Sequence, residues 1–584
     1  MSNHVLEEPW KRKWYPTQSC VEEGSCGDST LLPEPEEQLP QFPMTIRAIQ
    51  DSRSSSAGGR SLVICLDGTG DQFDNDNSNV VNFVACLKKD DPSQLTYYQS
   101  GIGTYDGHGL KNGISAVVDM AVGSGLGIHV KDAYRFLMQN YREGDKICLL
   151  GFSRGSYTVR CLAGMLHKVG LLPAHNSAQV SFAYSFYKND TPEGWKLSAE
   201  FKRTFCTNVL VYFVGVWDCV ASVGFIPRML PFSKTPTNTI HYFRHAMALD
   251  EHRAKFKVCQ WQHQEPNTKA RNTIDNAPKA KVKAENDIQL SRVGRMFSSC
   301  FGRKPSSGGD GVVESGSSTA TSLLKKTEKD REQKKLESEF DKDDQSIHEH
   351  LVTDVLEVWF AGAHADVGGG AVRNDERHML SRIPLRWMIR QCFECNTGIL
   401  FGTAALAETG IDVPTVWPVY IPRKKPLVGP SPDMVEQYEA EALPPLRRRS
   451  TALGVDRELR RGSDDGGIED HVGTDIFNQD GRRQFQIDLL PEQVEDHFDA
   501  MAPINDQLEL AKGWWALEFW PVKVRVLKKK SEEWEKVLRM NMGRFRAIQE
   551  EEPKMHWTVQ MRMNDKAYKV RNRADTNTIW KIAA

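Results

Sequence analysis

Lys146-Ile147-Cys148-Leu149-Leu150-Gly151-Phe152-Ser153-Arg154-Gly155 is an apolar run that ends in a serine with a glycine two places to either side. Ser156 to Val169 follows with apolar residues at helical spacing. The run predicts a buried strand, the glycines a sharp turn, and the periodic stretch a helix. That order is what a nucleophile elbow requires. A serine hydroxyl reacts only if it stands clear of its own backbone, and small residues at both flanks let the chain turn tightly enough to present it.

Outward from the elbow, the same alternation of strands and helices recurs. Ser61 to Leu66 is an apolar run of the kind buried on both faces of a sheet, and Asp67-Gly68-Thr69-Gly70 ends it. Asn79 to Leu87 reads as a helix capped by Asn77 or Ser78, Leu95 to Gln99 as a strand, and Ile128 to Tyr141 as an amphipathic helix. Val209 to Trp217 and Val355 to Phe360 are further apolar strands. The predicted fold class is α/β, of the α/β-hydrolase type, with a mostly parallel sheet covered by helices on both faces and disordered insertions.

The chain has 584 residues, room for two or three average domains or for one large domain with insertions. Residues 1–58 are rich in Glu, Pro and Ser and read as a disordered leader. The predicted catalytic domain spans 59–420, interrupted at about 266–350 by a segment of Lys, Glu, Asp, Ser and Gly that lacks the apolar surface to offset the entropy of ordering. Residues 421–483, with two Arg-Ser clusters, read as a disordered linker. Residues 484–584 read as a C-terminal extension packing on the catalytic domain. The stretches Gly101 to Gly127 and Ala221 to Thr237 are candidates for a lid.

A net charge of −2 gives no global attraction to nucleic acid, and no nucleic-acid partner is expected. Twelve cysteines are scattered, and the C-x-x-C at Cys392 and Cys395 has no second pair to complete a zinc site, so the usage suits a reducing compartment. Met1 to Pro16 carries no apolar targeting segment. Asn208 to Pro227 is apolar for about the length of a membrane span, but its β-branched residues and Asp218 fit a buried strand running into a loop. An intracellular, cytoplasmic protein without signal peptide or transmembrane helix is expected.

A nucleophile at Ser153 needs a base and an orienting acid. In α/β-hydrolases these follow in the order Ser, acid, His, each just after a strand. Asp218 follows the strand ending at Trp217, and His364 follows the strand ending at Phe360, ahead of a run of glycines. The expected chemistry is acyl transfer: Ser153 attacks an ester, His364 carries the proton, and Asp218 holds the imidazole tautomer. Backbone N–H groups of Arg154 and of Gly68 or Thr69 are the expected oxyanion donors. Asp67 is assigned to tying down the oxyanion loop. Two rivals are noted: His245, read on a helix, as base, and Asp366 as acid or supporting group. No cofactor or metal is expected. The expected partner is an acyl-ester or lipid substrate, with peripheral membrane contact.

Five blocks resemble the catalytic domain of the type VI secretion lipase effector (Tle-like) family, in its fungal form. They are Leu66-Asp67-Gly68-Thr69 with Asn79-Val80, then Gly151-Phe152-Ser153-Arg154-Gly155, then Gly215-Val216-Trp217-Asp218, then Ala248-Leu249-Asp250-Glu251 with Arg253 and Phe256, and lastly Trp359-Phe360-Ala361-Gly362 with His364, Asp366 and the glycine run. The resemblance covers roughly residues 60 to 400. The tail, with Gly513-Trp514-Trp515, Glu518, His556, Val559 and Arg562, is similar to the fungal C-terminal extension. It implies a Ser-Asp-His hydrolase with relatives that cleave phospholipid acyl esters, and supports Ser153, Asp218 and His364 by position. Cys219 stands where the family usually has Thr, and Ser156 where it usually has Ala; both are small.

Two other readings stay open on sequence. A catalytically degenerate hydrolase fold could serve as a scaffold. Cys65-Leu66-Asp67-Gly68-Thr69 also resembles the strand end of haloacid-dehalogenase-type phosphatases, with Cys65 where that chemistry needs its nucleophilic Asp.

Overall fold

A computed structural model describes residues 42–53, 59–101, 125–220, 230–233, 239–261, 332–333, 335–340, 352–455, 490–527, 534–565, 568–574 and 578–584. Phe42 to Ala584 forms one compact unit. The strands are β1 (Thr45–Arg47), β2 (Ser61–Leu66), β3 (Gln94–Gln99), β4 (Lys146–Phe152), β5 (Val211–Trp217), β6 (Ile240–Ala248), β7 (Asp354–Phe360), β8 (Leu400–Gly402), β9 (Pro521–Leu527), β10 (Trp534–Met540), β11 (Lys554–His556) and β12 (Lys581–Ala583). The helices that matter below are α1 (Asn79–Cys86), α2 (Leu126–Asn140), α3 (Ser153–Val169), α4 (Val180–Lys188), α5 (Pro192–Phe205), α6 (His364–Gly368), α7 (Arg382–Glu394), α8 (Pro432–Glu439), α9 (Arg448–Ala452) and α10 (Glu492–Met501).

Eight strands form one sheet in the order β12-β11-β7-β6-β5-β4-β2-β3, and every neighbouring pair runs parallel. Its continuous apolar runs follow from burial on both faces. Leu62, Ile64 and Leu66 of β2 pack with Ile147 and Leu149 of β4 against α2, α3 and α4. Val63 and Cys65 of β2 pack with Cys148, Leu150 and Phe152 of β4 against α1 and α7. The alternation slips once. The β4–β5 register shifts between Ile147 and Cys148, so that Tyr212 and Phe213 of β5 turn to the same side. A bulge of this kind bends and twists its strand.

Local chemistry fixes the helix starts. Ser78 caps α1, its Oγ accepting the Val81 N–H at 3.2 Å. Thr191 caps α5 by accepting the Gly194 N–H at 3.1 Å, with Pro192 in the first turn. The strand order reverses at β2, which has β3 on one side and β4 on the other. Ligands of open α/β sheets bind at such a reversal, beyond the carboxyl ends of the strands.

Four expectations need correction. The leader does not extend to 58: residues 45–47 are β1, paired antiparallel with β8, because Ile46 is apolar and buried against the second core. The insertion at 266–350 contains helical residues at 335–340, and Glu337 is buried where its carboxylate accepts the Phe232 N–H at 2.8 Å. The linker at 421–483 carries α8 and α9. Val435 and Tyr438 pack against Val494 and Phe498, and the Arg449 guanidinium is buried on Asp412 at 2.7 Å. His245 lies on β6, not on a helix. The lid candidates fall largely on 102–124 and 221–229, outside the described residues. Among the described residues, no helix is long and apolar enough to cross a membrane.

The C-terminal residues enter the sheet itself. Strand β11 pairs with β7 and β12 with β11, so sequence more than 190 residues beyond β7 extends the central sheet.

Candidate active site

The elbow forms where β4 meets α3. Ser153 has φ of 56°, a left-handed conformation that strains a residue with a side chain. Such strain costs about 1–3 kcal/mol and persists only where the surroundings enforce it. Two contacts enforce it. Ser156 Oγ donates to the Gly151 carbonyl at 2.7 Å or the Trp217 carbonyl at 3.1 Å, and the Val220 N–H reaches the Ser153 carbonyl at 3.4 Å. The flanking glycines are needed for close approach. A Cβ on Gly151 would meet the Gly155 and Ser156 backbone at 2.8 Å, and one on Gly155 would lie 2.1 Å from the Leu66 carbonyl oxygen.

Strands β4, β5 and β7 deliver the three predicted side chains to one place. His364 Nε2 lies 2.7 Å from Ser153 Oγ, and His364 Nδ1 lies 2.5 Å from Asp218 Oδ2. The hydrogen-bonding pattern assigns the tautomer: Nδ1–H donates to the carboxylate, and Nε2 is left to accept the serine proton. The imidazole packs between two aromatic rings, Phe152 at 4.7 Å and Phe256 at 4.8 Å.

Asp218 is fully buried, a costly position for an isolated carboxylate. It is not isolated. Arg546 donates through Nη1 to Oδ1 at 2.6 Å and through Nη2 to Oδ2 at 2.8 Å, and the Ala248 N–H donates to Oδ1 at 3.0 Å. Burial alone would raise the Asp218 pKa, but the Arg546 charge and the His364 hydrogen bond reverse this and hold it well below the ordinary carboxylate value. Burial pulls the His364 pKa below the ordinary imidazole value, against the pull of Asp218.

The neighbouring groups hold the turns that carry these residues. Glu251 forms a buried ion pair with Arg253 at 2.7 Å; its carboxyl is held at about 2, burial being outweighed by the Arg253 charge and hydrogen bonds. The Arg253 guanidinium lies 3.5 Å from the Phe256 ring centroid and 4.7 Å from that of Trp514. Asp366 does not reach His364 as a rival acid. Its Oδ2 accepts the N–H groups of Ala363 at 2.8 Å and Asn505 at 2.9 Å, and its Oδ1 accepts Asn505 Nδ2 at 2.7 Å. Burial raises its pKa to about 6 against those hydrogen bonds. His245 is committed elsewhere: its Nδ1 meets Glu357 at 2.8 Å, and its Nε2 accepts the Cys219 N–H at 3.1 Å.

At the β2 end, Asp67 Oδ1 accepts the Gly68 N–H at 2.8 Å and Oδ2 accepts the Tyr98 hydroxyl at 2.9 Å. This corrects the expectation for Gly68, whose N–H is already engaged. The Arg154 N–H, in the first turn of α3, has no preceding helical carbonyl to bond. Thr69 Oγ1 is buried without a hydrogen-bond partner among the described residues. Also among the described residues, no cluster of three or more His, Cys, Asp or Glu is arranged to hold a metal ion.

Sequence reasoning missed Arg546 and Asn505, which lie 328 and 139 residues from the carboxylates they bind. No spacing rule connects positions so far apart. It included Glu251, Arg253 and Phe256 in a motif without giving them roles.

A parallel sheet with a strained serine after a central strand, and histidine and aspartate arriving from later strand ends, defines an α/β-hydrolase. Comparison with known proteins then gives the family. Residues 60–391 match the family described as T6SS, Phospholipase effector Tle1-like, catalytic domain. The chain belongs to that family, and so to hydrolases of the lipase and esterase type. It is also similar to the Saccharomyces cerevisiae protein described as uncharacterized protein YEL023C, at 27% identity over 595 residues, covering 90% of this chain and 82% of that one. Among solved structures, an uncharacterized protein from Pseudomonas aeruginosa is similar over 80% of this chain and 62% of that chain, at 15% identity and a TM-score of 0.29. The Tle1 effector bound to the VgrG spike from the type 6 secretion system is similar over 36% of this chain and 53% of that chain, at 16% identity and a TM-score of 0.19.

Proposed function

We propose that the protein is a serine hydrolase of carboxylic acyl esters, phospholipids among them, working through an acyl-enzyme. The observation that carries this reading is the unbroken line from Ser153 Oγ through the His364 ring to Asp218, with spacings of 2.7 and 2.5 Å. Ser153 attacks the ester carbonyl while His364 Nε2 takes its proton. The Arg154 N–H and a donor of Thr69, its backbone N–H or its hydroxyl, receive the developing oxyanion. His364 then returns the proton to the leaving alcohol, and water repeats the sequence on the acyl-serine. The phospholipase description of the family supports a lipid substrate and peripheral contact with its membrane. Residues 59–420 supply the catalytic residues, and β11 and β12 of the C-terminal extension lengthen the same sheet. The nine described cysteines are all free, which fits action in a reducing intracellular compartment.

A fluorophosphonate probe, which reacts with an activated serine, tests the reading. Wild type is expected to label and Ser153→Ala to remain unlabelled. Folded wild type that does not react would favour the scaffold alternative. The phosphatase alternative predicts activity that needs a divalent cation and survives Ser153→Ala.

A further inference from the structure

Asp218 is reached by a residue from far outside the matched family region. The segment between β10 and β11 brings Arg546 across to it, and every direction of the guanidinium is used. Nη1 and Nη2 take the two carboxylate oxygens at 2.6 and 2.8 Å. Nη1 also donates to the Ala248 carbonyl at 3.0 Å, and Nε to the Phe256 carbonyl at 3.0 Å. The segment is itself gripped. The Phe545 ring stacks on His252 at 4.7 Å with an interplanar angle of 7°, and the Gly543 N–H donates to buried Glu518 at 2.9 Å. Asn505, from the same C-terminal part of the chain, braces the His364 turn through Asp366 at 2.7 Å.

We infer that Arg546 is a positioning residue of the active site: it fixes the Asp218 carboxylate and, by neutralising it, keeps the His364 imidazole in its uncharged, proton-accepting form. The inference rests on the serine-hydrolase reading above. With Arg546 present, Asp218 and Arg546 sum to zero, and a proton added to His364 creates an unbalanced buried cation. Without Arg546, an Asp218 anion and a His364 cation balance each other, so the base holds its proton to higher pH. The other charged groups around the ring leave this unchanged. Glu251 and Arg253 are paired with each other, Asp366 is bound to Asn505 and Ala363, and Glu357 is held by His245 behind Cys219. Arg is suited to this position because its planar fork matches both carboxylate oxygens, which a lysine ammonium cannot do.

The test is the rate of fluorophosphonate labelling of the full chain as a function of pH, for wild type, Arg546→Gln, Arg546→Lys and Ser153→Ala, with folding checked by near-ultraviolet circular dichroism. In Arg546→Gln the midpoint of the acidic limb is expected to rise by about one pH unit or more, the size of effect an ion-pair partner has on its neighbour. In Arg546→Lys the charge stays, so the midpoint is expected to stay near wild type while the plateau rate falls about tenfold with the loss of the two-pronged grip. A folded Arg546→Gln whose midpoint coincides with wild type overturns the inference, because a merely structural residue would lower the amplitude and leave the midpoint alone. Where the Gln variant does not fold, Arg546→Met, which removes the charge and keeps most of the side-chain length, is read in its place. A raised midpoint supports the role, and a wild-type midpoint overturns it. A wild type that does not label, or a Ser153→Ala that labels as fast, removes the hydrolase reading rather than this one.

Discussion

A side-chain carbon built on Gly155 would stand 2.1 Å from the carbonyl oxygen of Leu66 and 2.4 Å from that of Asp67. The first turn of α3 therefore lies directly against the end of β2. This contact sets the distance between the nucleophile and the loop proposed to receive the oxyanion. Both obstructing atoms are backbone, and β2 is held by β3 and β4 on its two sides, so neither can swing away. Gly155→Ala is expected to cost about 1–3 kcal/mol of stability, the usual range for an overpacked interior. The elbow should shift with it, so turnover per folded molecule should fall as well. Urea unfolding and ester turnover measured together check this. A variant with wild-type stability and rate would mean that the elbow has more freedom than the contact allows.

Ser153→Ala separates strain from chemistry. Alanine meets the same penalty at φ of 56° that serine does, so the backbone term nearly cancels. What disappears is one hydroxyl bonded to His364, worth about 1 kcal/mol. Stability should thus change little while turnover falls on the order of 10⁴-fold or more. Thermal unfolding and ester hydrolysis read the two effects. Residual activity within tenfold of wild type would mean that another group performs the attack.

How much of this was readable in the sequence depended on whether a residue's reason for its place was local. Strands β2, β4, β5 and β7 announce themselves because both faces of the sheet are covered and most of their residues are apolar. Strand β6 does not. Its Arg244 and His245 break the apolar run, and their buried polar groups are met only in three dimensions, Arg244 by Gln391 at 2.7 Å and Asp354 at 2.9 Å, His245 by Glu357 at 2.8 Å. The same cause hid the order in residues 424–455. Arg449 looks like linker composition, yet it is buried between the Leu490 carbonyl and Asp412. The meeting of Ser153, Asp218 and His364 was legible because each follows the end of a strand, a feature that sequence shows. Arg546 ends nothing, and only its contact with Asp218 gives it a role.

The pH dependence follows from His364. In the proposed mechanism its imidazole must be uncharged to accept the serine proton, and burial sets its pKa below the ordinary value of 6.5 despite the pull of Asp218. The acidic limb of kcat/KM is therefore expected to have its midpoint below that value. The stability linkage has a matching sign. Between the folded and unfolded pKa the native state binds fewer protons than the unfolded chain, so this contribution is complete above pH 6.5 and is lost as pH falls through the folded value. Asp218, depressed in the folded state, adds a second loss, which begins as pH falls past its unfolded value of 3.8. A kcat/KM midpoint above 7 would contradict the order of these effects.

Asp366→Asn tests the turn that carries His364. The aspartate uses both oxygens as acceptors, for three donors in all. An asparagine oxygen can keep the two backbone N–H groups, but its NH2 then faces the Asn505 amide, which has to turn over to accept it. Losing the charge-assisted bonds in a buried site should cost about 1–3 kcal/mol. Because His364 and Asp366 share a single helical turn, ester hydrolysis should fall beyond what the loss of folded protein explains. Activity normalised to the folded fraction, measured well below the melting temperature, checks this; an unchanged normalised rate would show that the turn holds His364 without Asp366.

Glu492→Ala should behave in the opposite way. Glu492 is fully buried and accepts from Arg390 at 2.8 Å, Arg423 at 2.8 Å and the Asp412 N–H at 3.0 Å. Its carboxyl stays ionised because the Arg390 and Arg423 charges outweigh the cost of burial. Removing it leaves the buried Arg390 guanidinium without its carboxylate, while Arg423 keeps Asp496 at 2.6 Å, and breaking such a buried pair costs about 3–5 kcal/mol. No member of this cluster bonds to Ser153, His364 or Asp218; it ties α10 to α7. The melting temperature should therefore drop steeply, while kcat/KM per folded molecule stays at the wild-type value. If kcat/KM fell in step with stability, α10 would be coupled to the active site, and the separation drawn here between the groups that hold the fold and those that hold the triad would be wrong.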